Sequence, residues 1–110
     1  MSSKTWMVAS NLAAGANDNP EISAIPNGET WMIKTFRAAD VNKGDGKSTG
    51  YVLRFGSDIM EFIALTGNTQ TVEVSEEITG DGVKKLNVQR FNFSGFAKPC
   101  PFKVVAYKRQ

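Results

Sequence analysis

Residues 29–37 read ETWMIKTFR. Apolar and polar side chains alternate here with a period of two, which a strand produces and a helix does not. At that period Trp31, Ile33 and Thr35 share one face, and Met32, Lys34 and Phe36 share the other. Both faces carry apolar groups, so this strand is expected to be covered on both sides or to lie at an interface.

The same period continues in both directions. Residues 51–55 (YVLRF) place Tyr51, Leu53 and Phe55 opposite Arg54. Residues 58–65 place Ile59, Ile63 and Leu65 opposite Met60, Phe62 and Ala64. Residues 71–78 set Val72 and Val74 against Glu73 and Ser75. Residues 84–93 set Leu86 and Val88 against Lys85, Asn87 and Gln89, then turn aromatic at Phe91 and Phe93. Residues 102–107 set Phe102, Val104 and Ala106 against Lys103, Val105 and Tyr107; residues 4–9 and 21–25 are shorter candidates. Turn chemistry separates these runs: Asn27-Gly28 after Pro26, Gly56-Ser57-Asp58, Gly67-Asn68 and Asp81-Gly82. The helix-like window at residues 11–16 (NLAAGA) is cut short by Gly15 and the cluster Asn17-Asp18-Asn19-Pro20. About eight short strands at this spacing predict an all-β domain, a sandwich or a barrel.

The chain has 110 residues, 13 basic and 11 acidic, for a formal net charge of +2. That length predicts one domain, with residues 1–20 as an N-terminal arm or a first strand plus loop, and residues 21–110 as the β domain. The charge balance lacks the basic excess of a nucleic-acid binder. It is uneven locally. Lys98, Lys103, Lys108 and Arg109 occur without a carboxylate, and Glu73, Glu76, Glu77 and Asp81 without a base. Such opposite patches can meet across subunits. The one cysteine, Cys100, excludes an intrachain disulfide and fits a reducing compartment. No run of 18 apolar residues suggests a membrane helix, and the opening MSSKTWMVAS lacks a signal-peptide core. Synthesis in a cytoplasm is expected, with neither a membrane nor nucleic acid as partner.

Residues 42–50, NKGDGKSTG, invite a nucleotide reading. A phosphate loop reads G-x-x-x-x-G-K-[ST] and opens a helix. The first glycine would fall where Val41 stands, and Gly50 leads into a strand. Read as a calcium loop from Asp40, the stretch puts Gly44, Asp45 and Tyr51 at the fifth, sixth and twelfth positions, which breaks the pattern each time. The stretch reads as a polar contact loop, with Lys43, Asp45 and Lys47 as candidate partner-binding residues.

Catalytic chemistry is sparse. There is no histidine, which removes the Ser-His-Asp and Cys-His constellations and the usual zinc ligands. Glu61, between Met60 and Phe62, reads either as a perturbed acid or as a solvated side chain, and it has no motif partner. No metal, no cofactor and no enzymatic activity are expected. The aromatics are more telling. Trp6, Trp31, Tyr51, Phe91, Phe93 and Phe96 are either core or a stacking platform. The run FNFSGF (91–96), with Met32, Met60 and Phe62, exceeds what one small core needs. In a sandwich only one face of each sheet is internal, so the surplus points to burial by another subunit.

Two stretches carry a resemblance: IPNGETWMIKTF (25–36) and GSDIMEFIALTG (56–67). A turn with proline and glycine leads into a tryptophan-bearing strand, and a long loop and a strand pair follow. The pattern, over residues 25–67, resembles small β-sandwich virion proteins of tailed bacteriophages. The resemblance implies a single antiparallel, jelly-roll-like β-sandwich. It also implies a capsid decoration (cement) protein or a small head or tail component, located in the virion and made in the host cytoplasm. Its partners would be itself, as a homo-oligomer and conceivably a trimer, and a capsid or tail protein. Residues 1–20 would then form an arm anchored by Trp6 and Leu12. A carbohydrate- or receptor-binding sandwich is the second reading, with Trp31 or Trp6 stacking on a ring. An inhibitor of one target protein is the third.

Overall fold

The computed structural model describes residues 2–40 and 49–109. Among the described residues the chain forms eleven strands and no helix. They are β1 (Ser3–Val8), β2 (Asn11–Leu12), β3 (Asn17–Asp18), β4 (Glu21–Ala24), β5 (Thr30–Ala39), β6 (Thr49–Phe55), β7 (Asp58–Leu65), β8 (Thr69–Thr79), β9 (Lys85–Asn92), β10 (Lys98–Pro99) and β11 (Phe102–Lys108). One sheet runs β1-β11-β5-β8. The facing sheet runs β3-β9-β6-β7, with β4 also on β9, and β10 pairs β2 in a small ribbon. All pairings are antiparallel. The chain changes sheet between β1 and β3, β4 and β5, β5 and β6, β7 and β8, β8 and β9, and β9 and β11. It is a jelly-roll-like sandwich.

The inward faces supply the core. Ile33, Phe36, Val104 and Ala106 from the first sheet meet Tyr51, Leu53, Ile63, Leu86 and Val88 from the second. YVLRF behaves as its alternation predicts, with Tyr51 and Leu53 fully buried. The turns use the expected left-handed glycines, for example Gly28 and Gly82 at φ 83° and 82°. Asp81 accepts hydrogen bonds from the N–H groups of Val83 (2.8 Å) and Lys84 (2.7 Å), which fixes the turn from β8 to β9; the turn is not a hairpin, because the two strands lie in different sheets.

Two strands depart from strict alternation, for one reason. In β5, Ile33 pairs Ala106 and Thr35 pairs Val105, so Lys34 is an extra residue opposite β11. This bulge reverses the parity of the strand. Phe36 and Ala38 therefore turn inward with Trp31 and Ile33, and Thr35 turns outward. The two apolar faces expected of ETWMIKTFR are largely one face seen across a bulge. In β7 the extra residue is Met60, between the Glu61–Leu53 and Ile59–Arg54 pairs. Ile59 is thus outward and exposed, and Met60 packs on the core.

Residues 2–20 carry β1, β2 and β3. β1 adds to β11 over six residues. Beyond it, two inward side chains of β9 hold the segment. Arg90, 1% exposed, donates from Nε and Nη2 to both Asp18 carboxylate oxygens (2.9 and 2.6 Å), and from Nη1 to the carbonyls of Ser10 and Cys100 (2.9 and 3.0 Å). Asn92 donates from Nδ2 to the carbonyls of Leu12, Ala13 and Phe96, and accepts at Oδ1 from the N–H and hydroxyl of Ser94. Buried polar groups of this kind persist only when so satisfied.

Candidate interaction surface

The outer face of the five-stranded sheet follows from its registers. Three rows cross β9, β6 and β7: Phe91–Gly50–Ala64, Gln89–Val52–Phe62 and Asn87–Arg54–Ile59. Phe93 extends the first row. Its ring stacks on Phe91 with centroids 5.6 Å apart and an interplanar angle of 10°. The pair lies over Gly50, where a Cβ would meet Phe93 at 3.2 Å and Phe91 at 3.6 Å. Glycine at position 50 leaves room for both rings. Val52 is buried beneath its neighbours, while Ile59 is 63% exposed, and Phe62 and Phe93 are each 55% exposed. In these rows the one charged side chain is Arg54, whose Nη2 donates to Gln89 Oε1 (2.9 Å). The result is a nearly neutral apolar tract on an outward sheet face.

The outer face of the four-stranded sheet is different. The registers place Lys34, Arg37, Lys103, Glu73 and Glu77 there, among Met32, Thr35, Val105 and Tyr107. The opposite charge patches meet inside the chain at Arg109 and Glu77, while Lys108 and Lys98 pair carboxylates outside the acidic patch, Glu29 (3.1 Å) and Asp40 (2.8 Å).

The candidate residues separate clearly. Trp6 and Trp31 come together, with ring centroids 6.1 Å apart and planes tilted by 57°. Trp31 is 7% exposed, and its Nε1 donates to Glu29 Oε1 (3.1 Å). Glu29 also takes Lys108, and these bonds, the indole first, hold its carboxyl below the usual range. Lys4 Nζ lies 5.8 Å from the Trp6 ring centroid. Trp31 therefore offers no free ring face for stacking a sugar; it packs the core. Leu12, 6% exposed, is likewise in the core and does not project from an arm. Lys43, Asp45 and Lys47 lie outside the described residues. Asp40, just before them, is buried, and its Oδ2 accepts the Gly67 N–H (3.0 Å).

Glu61 stands opposite Leu53, and its Oε1 accepts its neighbour's Phe62 N–H (3.3 Å). Cys100 is a fully buried core side chain, and burial pushes its thiol pKa up, away from the thiolate form that reacts. The described residues contain no group of three His, Cys, Asp or Glu placed to hold a metal. No helix among them is long and apolar enough to cross a membrane.

No protein-family model and no curated protein matches the chain. Solved structures share its fold. A chain of the capsid asymmetric unit of cyanophage Pam1 superposes with TM-score 0.58 at 14% identity, covering 98% of this chain and 85% of that one. A chain of the acid-stable capsid of the Helicobacter pylori bacteriophage KHP30 gives 0.57 at 13% identity, covering 98% and 94%. A protein of Bacillus endospore appendages, from a family of disulfide-linked pili, gives 0.52 at 17% identity, covering 98% and 89%. At these identities the likeness is one of fold.

The sequence pointed to Phe62, Phe91 and Phe93 as surplus, but not to Ile59 or Gly50. The Met60 bulge turns Ile59 outward, and because Ile59, Met60, Phe62 and Ile63 are all apolar the periodicity there carries no mark of it. Arg90 and Asn92 were also missed. Their signal was present: both are in phase with Leu86 and Val88, on the inward side.

Proposed function

We propose that this chain is a non-enzymatic structural protein of a virion, a decoration (cement) protein or a small head or tail component that binds and stabilises an assembled shell. The observation that carries the reading is the neutral apolar tract on an outward face of a jelly-roll-like sandwich. Such a tract on a free monomer costs solvation and is usually covered by a protein. The fold shared with the Pam1 and KHP30 capsid chains supports a shell as its setting. The shared fold with disulfide-linked pili supports a fibre less well, because Cys100 is buried and offers this chain no exposed thiol for such a link. A protein that binds only the assembled state stabilises that state by mass action. No substrate or cofactor is needed for this.

The test is to purify particles from cells that carry the gene, with the gene intact and deleted. Mass spectrometry should find the chain in the particles at a fixed stoichiometry. Deletion should lower the temperature at which the particles release DNA. Absence of the chain from purified particles would overturn the proposal.

A further inference from the structure

We propose that the outer face of the five-stranded sheet docks on the same face of a second copy, so that the chain self-associates face to face and not edge to edge. The inference rests on the reading of the chain as an assembly protein and names the surface.

The strand edges are guarded. At the β1 edge, Lys4 pairs Ala106 and so stands on the core side of the sheet rim. At the β7 edge, Met60 is a bulge and Glu61 follows on the core side. At the β8 edge, Val74 and Ser75 oppose the single residue Lys34, Ser75 sits at φ 50°, and Glu73, Glu76 and Glu77 line the strand. The remaining edge is broken into β3 and β4, with Pro20 between them. Inward charges, bulges, short strands and proline are the devices that block strand addition. No such device protects the outer face of β9, β6 and β7.

The face is complementary to itself. A two-fold axis lying in the interface plane across the strands, above Val52, brings the third row of one copy over the first row of the other. Arg54 then meets the stacked ring pair over Gly50, a cation against aromatic rings. Phe62 meets Phe62, and Ile59 meets Ala64. The same operation on the other sheet would desolvate Lys34, Arg37, Lys103, Glu73 and Glu77. Size sets the strength. Three strands and three rows span on the order of 300 Å² per copy. Stable dimers bury about 800 Å² per partner. Dissociation is therefore expected on the order of 100 μM in solution, tightened where copies are held together on a shell.

Sedimentation equilibrium from about 10 μM to about 1 mM tests this. The full chain should fit a monomer–dimer equilibrium. Phe62→Glu, at an exposed site, should weaken it at least about tenfold, as expected for burying an unpaired charge. Met7→Glu, equally exposed on the other sheet, should leave it unchanged. Unaltered circular dichroism and melting temperature show that both variants are folded. A monomer at every concentration, or a dimer indifferent to Phe62→Glu, overturns the docking. Either result leaves the virion reading to its own particle test. A dimer through this face on a chain absent from particles would reject that reading and keep the docking.

Discussion

The two ends of the sandwich are closed by different chemistry. At one end, Ile25, Trp31, Phe55, Ile78 and Leu86 fill the space between the sheets with apolar side chains. At the other, Arg90, Asn92, Lys98 and Asp40 are all buried and are held by backbone carbonyls and two ion pairs, Arg90 with Asp18 and Lys98 with Asp40. β9 spans both ends, with Leu86 at the first and Arg90 at the second. The apolar end gains from contact area and tolerates small shifts. The polar end fixes where specific backbone segments lie, because each carbonyl it holds must find its donor.

Arg90→Ala should have the largest effect. It removes donors to Asp18, Ser10 and Cys100 together, and the loss is expected to be about 3–5 kcal/mol. The discriminating readout is local. Amide exchange across residues 10–18 should speed up beyond the global change, because that segment loses its clamp. Leu86→Ala, four residues along the same strand, should cost about 2–5 kcal/mol by cavity formation. Its exchange pattern should stay uniform. If both variants loosen the N-terminal segment equally, the two ends do not differ in the way described.

The contrast also explains what could be read in the sequence. Apolar alternation in YVLRF and the turn pairs Asn27-Gly28 and Asp81-Gly82 are local signals, and they place strands and turns of the apolar end; that both turns cross between the sheets and do not close hairpins is set by the pairing of distant strands. The polar end joins residues far apart in sequence: Asn92 to Leu12, Lys98 to Asp40, Arg90 to Asp18. No window of residues contains such a bond. The outward apolar face was legible as a surplus of phenylalanines and illegible as a surface, since the bulge at Met60 decides where Ile59 points. Lys43, Asp45 and Lys47 rest on their loop-like composition alone.

Gly80→Ala probes the apolar end by crowding it. A Cβ at this position would lie 2.2 Å from the Pro26 carbonyl oxygen and 2.3 Å from that of Ile25. Both are backbone atoms, so no rotamer change relieves the contact. Gly80 also donates its N–H to Glu29 (2.8 Å) and accepts from Gly28 (3.0 Å), which limits how far it can move. A loss of about 1–3 kcal/mol is expected, read from urea unfolding. Gly95→Ala, where a Cβ meets nothing within 4 Å, is the control. Equal costs at the two positions would mean that the turn at Gly80 adapts and that this end is not tightly packed.

The smallest effect concerns acid. Two carboxylates at the apolar end are held below their ordinary range, Glu29 by Trp31 and then Lys108, Asp81 by the N–H groups of Lys84 and then Val83. A depressed pKa in the folded chain means that the unfolded chain binds the proton more readily. The stabilisation is complete above the unfolded pKa and fades as pH falls through the folded one. Both groups face solvent, so the amount is small. Asp81→Asn keeps an acceptor oxygen but cannot titrate. Its stability should therefore fall less steeply than that of the wild type between about pH 5 and about pH 2, with parallel curves near neutrality. Identical slopes for the two proteins across that window would show that Asp81 holds the turn without contributing to the acid sensitivity of the fold.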